Sequence, residues 1–230
     1  MKLRVGTSGY SYKEWVGSFY PPKTPANRML RCYGERLDTV EINNTFYRMP
    51  TAPMLERWTG EVPEHFRFVL KAPKRITHDR KLQEVDDAVR ALIDAASVLG
   101  PRLGPFLFQL PPFFRKNLEV LGEFLGRLGP VRAAFEFRHP TWFDDSVYDL
   151  LRAHGVALCF ADTEDGEPPA VATTSWGYLR LRRPDYDDAR LSDWVERVRQ
   201  QPWEEAYVFF KHEDEGKGPQ MAARFRELAG

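Results

Sequence analysis

Along this chain the apolar positions fall into short runs, and each run ends in a polar cluster. Thr39-Val40-Glu41-Ile42 leads into Asn43-Asn44-Thr45-Phe46-Tyr47, and Phe66, Val69 and Leu70 lead into Lys71-Ala72-Pro73-Lys74-Arg75. Phe106-Leu107-Phe108 ends at Gln109, Ala134-Phe135-Glu136-Phe137 at Arg138-His139, and Val208-Phe209-Phe210 at Lys211-His212. Buried parallel strands read as near-continuous apolar runs, and in barrels of such strands the chemistry gathers at the C-terminal ends. Strand candidates begin near Leu3, Thr39, Phe66, Pro105, Ala133, Val156, Gly177 and Ala206.

Helical spacing fills most of the gaps between them. Leu118, Leu121, Phe124, Leu125 and Leu128 recur at three and four, with Asn117 as N-cap and Gly129-Pro130 as the stop. Val85, Ala88, Val89, Leu92, Ala96 and Leu99 do the same up to Gly100-Pro101, and Met221, Ala222, Phe225 and Leu228 make a last helix with Pro219 near its start. The segment from Asp162 to Pro169 is too acidic and proline-rich for a helix, so a loop is expected in place of the sixth one. Alternation of strand and helix predicts an α/β fold: a single (β/α)8 TIM-type barrel with a closed parallel sheet. No linker divides residues 1–230, so one domain is expected, slightly shorter than the roughly 250 residues usual for such a barrel.

Composition narrows the partners. Formal net charge is zero, so nothing global draws the chain to nucleic acid or to an anionic membrane, and any anion site must be local. No apolar stretch approaches the roughly 20 residues of a membrane span, and the N-terminus reads as a strand rather than a signal peptide. Cys32 and Cys159 lack metal or redox spacing and read as reduced, packed thiols. The expected location is the cytoplasm.

The strand ends also carry a family resemblance. Gly6-Thr7-Ser8-Gly9-Tyr10-Ser11-Tyr12 with Trp15 and Phe19-Tyr20-Pro21, then Val40 to Tyr47, resemble segments of the domain-of-unknown-function-72 (YecE-like) family. So do Phe68 to Pro73 with Ile76-Thr77-His78, Phe108-Gln109-Leu110-Pro111-Pro112, and Glu136-Phe137-Arg138-His139 with Trp142. The motifs run in order over essentially the whole chain. The resemblance implies a barrel of parallel strands and helices and no established activity. The family's last strand often ends in asparagines and its seventh is often followed by His-Gly; here Lys211-His212 and Arg182-Arg183-Pro184 stand in those places and make the pocket more basic.

Candidate chemistry follows from strand alternation. Glu41 and Asn43 share a face, as do Glu136 and Arg138, so two carboxylates and a guanidinium converge if both pairs point into the barrel mouth. Paired carboxylates divide acid and base roles when their environments separate their pKa values; the plain alternative is a buried ion pair that only fixes barrel geometry, and it is the stronger one for Glu41. Lys71, Arg75, Arg138, Arg180, Arg182, Lys211 and Lys217 supply basic groups near strand ends, a convergence that suits carboxylate or phosphate, although single arginines more often lie on solvated faces. Gly216-Lys217-Gly218-Pro219 is either an anion-binding turn before the last helix or an ordinary turn. His78, His139 and His212 follow strands, with Asp162 and Glu136 as partners, yet no close ligand spacing links the histidines, so neither metal nor cofactor is expected. In the first loop, Ser11 and Glu14 form a candidate capping box for a short helix. Of the aromatic residues, most are expected to pack over the mouth, while Tyr12, Tyr47 and Trp142 are the candidates for ligand contact.

The resulting expectation is a metal-independent pocket for a small anionic, phosphorylated or sugar-containing compound, with chemistry of the hydrolase, lyase or isomerase kind. Glu136, with Glu41 and His139, would be catalytic; Lys71, Arg75, Arg138, Arg180, Arg182 and Lys211 would hold the anion. Asn43, Gln109, His78, Asp162, His212, Tyr12, Tyr47 and Trp142 would line the pocket. Two other readings use the same residues: a non-catalytic binder of nucleic acid or a phosphometabolite, and a metal-dependent phosphodiesterase or nuclease. No membrane partner is expected.

Overall fold

The computed structural model describes residues 1–164, 166–167, 169–211 and 214–230. Eight strands close into a parallel barrel in simple order: β1 (Lys2–Ser8), β2 (Thr39–Ile42), β3 (Arg67–Lys71), β4 (Leu103–Gln109), β5 (Ala133–Glu136), β6 (Ala157–Asp162), β7 (Trp176–Leu181) and β8 (Glu205–Phe210). Closure is made by β8 against β1, from Lys2 opposite Glu205 to Thr7 opposite Phe210. Around it lie α1 (Met29–Gly34), α2 (Asn44–Tyr47), α3 (Ala52–Thr59), α4 (Asp86–Ala96), α5 (Leu118–Arg127), α6 (Asp145–Ala153), α7 (Asp188–Arg199) and α8 (Lys217–Ala229). Among the described residues between β6 and β7 none is helical, as the acidic, proline-rich composition predicts.

Local signals explain most boundaries. The Asn117 side chain accepts the Val120 N–H at 3.0 Å and starts α5. Gly129 follows α5 at φ 73°, a left-handed turn that glycine adopts without strain. The apolar run through Leu99 continues past α4 as a tighter helical turn, Ser97–Arg102, because Gly100 leaves helical geometry there and Pro101 cannot donate. The capping box at Ser11 does not form: the short helix is present (Lys13–Trp15), but Tyr12 stands at its N-cap without a side-chain bond, and the Ser11 hydroxyl points to the Met29 sulfur at 3.9 Å. Gly6 is required by proximity, since a Cβ there would lie 2.0 Å from the Thr39 carbonyl oxygen across the β1–β2 pair.

Strand alternation sorts the core into two shells. Outward residues meet the helices: Phe108, Phe124 and Phe135, for example, pack with ring centroids 5.2–5.9 Å apart. Burying each such side chain contributes about 1.5–3 kcal/mol. Inward residues fill the barrel, with Val69, Leu107, Ala134, Cys159, Tyr178 and Phe209 forming a dry plug. Below the plug, at the strands' N-terminal end, Arg4 is buried and donates from Nε to Glu205 at 2.6 Å, while Arg132 donates to the other Glu205 oxygen at 2.7 Å and covers the Trp176 ring at 4.5 Å. Above the plug, the C-terminal strand ends are polar. Cys32 and Cys159 are unbridged, and burial pushes the Cys159 thiol well above its ordinary pKa.

Candidate functional site

The strand ends converge on one buried guanidinium. Arg180, near the end of β7, lies between two carboxylates from the far sides of the barrel. It donates to Glu136 Oε2 at 2.5 Å and to Glu41 Oε1 at 2.8 Å, and all three residues are at most 2% exposed. Two carboxylates buried this deeply need a cation between them; Arg180 gives one N–H bond to each, and further donors complete the shell. Glu41 also accepts from the Tyr178 hydroxyl at 2.5 Å, the Ser8 hydroxyl at 2.7 Å and the Asn43 amide at 3.3 Å. Glu136 accepts from the Gln109 amide at 2.7 Å and from Arg138 Nε at 3.1 Å, with Arg182 3.6 Å away.

Gln109 extends the network one strand further. Its carbonyl oxygen accepts from Lys71 Nζ at 2.9 Å, and the Lys71 ammonium lies 4.1 Å from the centroid of the Phe46 ring. The edge of His78 packs on the same ring at 4.9 Å, and its Nδ1 meets the Thr77 hydroxyl at 2.9 Å. Counting the linked groups gives four cations, Lys71, Arg138, Arg180 and Arg182, against two carboxylates, Glu41 and Glu136. The balance is two positive charges in excess. The Nε atoms of Arg180 and Arg182 are buried and have no partner among the described residues.

Electrostatics divide the titratable groups into fixed and labile ones. Burial alone would raise the pKa of both carboxylates, but the adjacent Arg180, joined at Glu136 by Arg138 and Arg182, outweighs it and holds both low. They stay ionised through the neutral range. Lys71 behaves oppositely: burial first, then the nearby Arg180, lowers its ammonium to about 8. His78 is lowered to about 4 by burial and then by Lys71 and Arg138, so its ring is neutral near pH 7.

Beside this network a cavity of about 740 Å³ opens over β5 to β7, with Glu136, Arg138, Arg182, Phe137, Pro112 and Phe143 among its walls. Glu164 and Glu167 stand on its far side, and Glu167 is paired with Arg197 at 2.7 Å. A second depression of about 710 Å³ lies between α7 and α8 against Leu3, at the opposite end of the strands from the charged network.

The structure thus brings together Glu41, Asn43, Lys71, His78, Gln109, Glu136, Arg138, Arg180 and Arg182. Other candidates stand elsewhere. Asp162 ends β6 on its outer face, where it accepts from Arg183 Nε at 2.5 Å, the Tyr186 hydroxyl at 2.8 Å and the Trp194 indole at 3.3 Å. His139 caps the short helical turn Pro140–Trp142 by accepting the Thr141 N–H at 3.2 Å. Trp142 is fully buried, stacked on Phe137 at 4.7 Å with its N–H bonded to the Phe114 carbonyl, so it presents no free face. The half-buried Tyr12 donates its hydroxyl to the Ser8 carbonyl at 2.9 Å, Tyr47 is 82% exposed on α2, and Arg75 is exposed beyond β3. Lys211 is exposed after β8, and His212 lies outside the described residues. At the start of α8, Lys217 faces Asp185 at 3.4 Å, and Gly216 turns back against Ser18 of the first loop. Among the described residues no group of three or more His, Cys, Asp or Glu side chains is placed to hold a metal ion. No helix among them is long and apolar enough to cross a membrane.

Three participants escape the sequence reading: Ser8, Tyr178 and Phe46. Tyr178 carried a usable signal, since it lies two residues before Arg180 and therefore on the same strand face. Ser8 likewise follows Arg4 and Gly6 along the inward face of β1.

Comparison with known proteins agrees with this architecture. Residues 4–230 match the family described as "Protein of unknown function DUF72". The chain is 26% identical to the UPF0759 protein YunF of Bacillus subtilis (strain 168), over 98% of this chain and 94% of that protein. It is 32% identical to the UPF0759 protein YecE of Escherichia coli (strain K12), over 61% of this chain and 50% of that one. Among solved structures, a DUF72 family protein (TM1631) from Thermotoga maritima MSB8 superposes with a TM-score of 0.86 at 25% identity, covering 99% of both chains. A DUF72 family protein (EF0366) from Enterococcus faecalis V583, at 18% identity and a TM-score of 0.82 over 99% of this chain and 95% of that one, shares the fold.

Proposed function

Because this chain belongs to the DUF72 family, whose description names no activity, we propose its function from the charged strand ends themselves: they bind a small anionic compound and carry out metal-independent acid/base chemistry on it. The observation that carries this reading is the excess of cations. A network built only to brace the barrel would match charge with charge, since each uncompensated buried ion costs several kcal/mol. Here Glu41 and Glu136 neutralise two of four cations; Lys71, 8% exposed, is the buried one left without a carboxylate at ion-pair distance among the described residues, while the more exposed Arg138 and Arg182 line the cavity. A carboxylate or phosphate group supplies the missing charge and meets guanidinium donors in fork geometry.

The roles within the site follow from which protons can move. Glu41 and Glu136, held ionised, orient Arg180 and fix the field. Lys71, a weakened ammonium, is the group that exchanges a proton near neutral pH, while His78 stays neutral there and offers a hydrogen-bonding wall. Arg138 and Arg182 hold the anion at the cavity wall.

Thermal unfolding with inorganic phosphate, sulfate and acetate tests the reading. Saturating phosphate raises the melting temperature, by the equivalent of about 2.7 kcal/mol at a hundred times Kd, and Arg138→Gln weakens the effect. A melting temperature unmoved by every anion would remove the proposal. Two exposed rings near the strand ends, Tyr47 and Phe113 (66% exposed, with Lys81 5.4 Å from its centroid), favour a second reading in which a nucleobase stacks outside the pocket. Oligonucleotide affinity that falls steeply with salt would select it.

A further inference from the structure

We infer that Lys71 is a covalent anchor, adding through Nζ to the carbonyl carbon of a small anionic aldehyde or ketone and holding it as an imine. The inference rests on the anion-binding reading above and narrows it to one substrate class. Lys71 is the last residue of β3, points into the barrel mouth and is only 8% exposed. Its amine meets no carboxylate at ion-pair distance among the described residues. The contacts it makes are the Gln109 carbonyl at 2.9 Å and the face of Phe46 at 4.1 Å.

This placement is poor for neutralising buried charge. Glu41 and Glu136 take their cationic bonds from arginines and leave Lys71 one residue removed, behind Gln109. The same placement suits a nucleophile: a desolvated amine beside other cations gives up its proton readily and becomes reactive. Burial, with Arg180 next in effect, lowers its pKa to about 8, so an appreciable fraction is free amine near neutral pH. Arg138, one of the two cations that depress it, is also one of the two that would receive the substrate's anionic group. His78, neutral and packed on the same Phe46 ring, adds no further charge on that side.

The chemistry balances without any redox partner. The amine lone pair forms the N–C bond while the carbonyl π pair moves to oxygen. One proton passes from nitrogen to that oxygen, giving a carbinolamine. Loss of the hydroxyl group and a second nitrogen proton as water leaves the C=N bond, so one water is released per imine.

Reductive trapping on the full chain tests this. The protein is incubated with glyoxylate, pyruvate or glyceraldehyde 3-phosphate and sodium cyanoborohydride, which delivers hydride to an imine carbon, and modified lysines are located by peptide mass mapping. The expected result is a secondary amine at Lys71 formed about tenfold faster or more than at the exposed Lys13 and Lys23. Inorganic phosphate slows the labelling, and uncharged propanal labels Lys71 more slowly than the anions do. Lys71→Arg, which retains the charge, yields no adduct at that position. Equal labelling of all lysines overturns the inference. So does a Lys71 left unmodified by all three compounds while phosphate still stabilises, an outcome that spares the anion-binding reading. If phosphate neither stabilises nor competes, both fall together.

Discussion

The two ends of this barrel solve the same problem differently. Each places a buried arginine on the axis, Arg4 at the N-terminal end and Arg180 at the C-terminal end, separated by the plug of Tyr178, Phe209 and Leu107. At the N-terminal end every guanidinium finds an acceptor. Arg4 binds Glu205, the His65 carbonyl and, at 3.6 Å, Asp38; Arg132 binds Glu205; Arg67 binds the carbonyls of Glu64 and Phe66. At the other end Arg180 serves two carboxylates at once, Lys71 has none, and two buried Nε atoms lack partners among the described residues. One end shares two carboxylates and several backbone carbonyls among its arginines. The other is left in positive excess beside a cavity. On the anion-binding proposal, that mismatch is where a ligand would complete the structure.

Removing the axial arginine breaks the comparison most severely at the C-terminal end. Arg180→Met strands two buried carboxylates and is expected to cost about 3–5 kcal/mol. Arg4→Met leaves Glu205, whose side chain is 18% exposed, with Arg132 still bonded, and is expected to cost about 1–3 kcal/mol. Urea unfolding of the two variants decides the order. Adding Glu41→Gln and Glu136→Gln to Arg180→Met should recover part of the loss, because the stranded charges are then gone; failure to recover would mean that Arg180 acts through packing rather than charge.

Acid separates the ends next. Glu41 and Glu136 have folded-state pKa values below their unfolded ones, so their stabilising contribution is complete above about pH 4.5 and is lost as pH falls through the depressed values. Glu205 is depressed in the same direction by Arg132 and Arg4 despite its burial. Stability of the wild type should therefore fall as pH drops below about 4.5. Glu136→Gln should flatten that fall more than Glu205→Gln, since Glu205 retains more contact with solvent. Denaturant titrations at pH 5, 4 and 3 test the ranking, and a steeper dependence in Glu136→Gln would contradict it.

How much of this was legible in the sequence differs between the fold and the site. All eight strand positions and the missing helix follow from apolar runs and turn chemistry, because a strand buried on both sides has nowhere to place polar residues except at its ends. Residue pairs two apart, such as Glu136 with Arg138 and Arg180 with Arg182, were readable as sharing a face because alternation is a backbone property. Contacts between strands were not readable. The relay from Lys71 through Gln109 to Glu136 depends on how β3, β4 and β5 align, and β3 and β4 shift register between Phe68 and Leu70. Asp162 illustrates a lost phase: Ala157-Leu158-Cys159-Phe160-Ala161 is apolar on both faces and gives no contrast to tell which way the next carboxylate points. His139 and Trp142 lie beyond β5, where the turn, not the strand, sets direction. The Arg4–Glu205 pair joins residues 201 apart, and only barrel closure brings them together.

The smallest expected effect concerns Lys71 and has the opposite sign to the acid effect. Its folded-state pKa, about 8, is lower than the roughly 10.4 of an unfolded lysine. Between those values the unfolded chain binds a proton that the folded one has released, so stability rises with pH across this window. Well below pH 8 both states are mostly protonated, and the buried ammonium approaches a constant cost. From pH 8 to 9.5 the wild type should gain up to about 2 kcal/mol from this group. The window stops short of pH 10, because buried Tyr178 and Tyr33 have raised pKa values and would then act in the other direction. Lys71→Met should lose the rise, since it has no proton to release. Arg4→Met, a change at the N-terminal end, should retain it. Phosphate should blunt the rise in the wild type by favouring the protonated amine in the folded state. Guanidinium chloride is unsuited to the measurement because its own ions screen the site, so urea unfolding at pH 7.5, 8.5 and 9.5 is the test. An equal rise in wild type and Lys71→Met would place the titrating group elsewhere and remove Lys71 as the proton-exchanging residue of the C-terminal end.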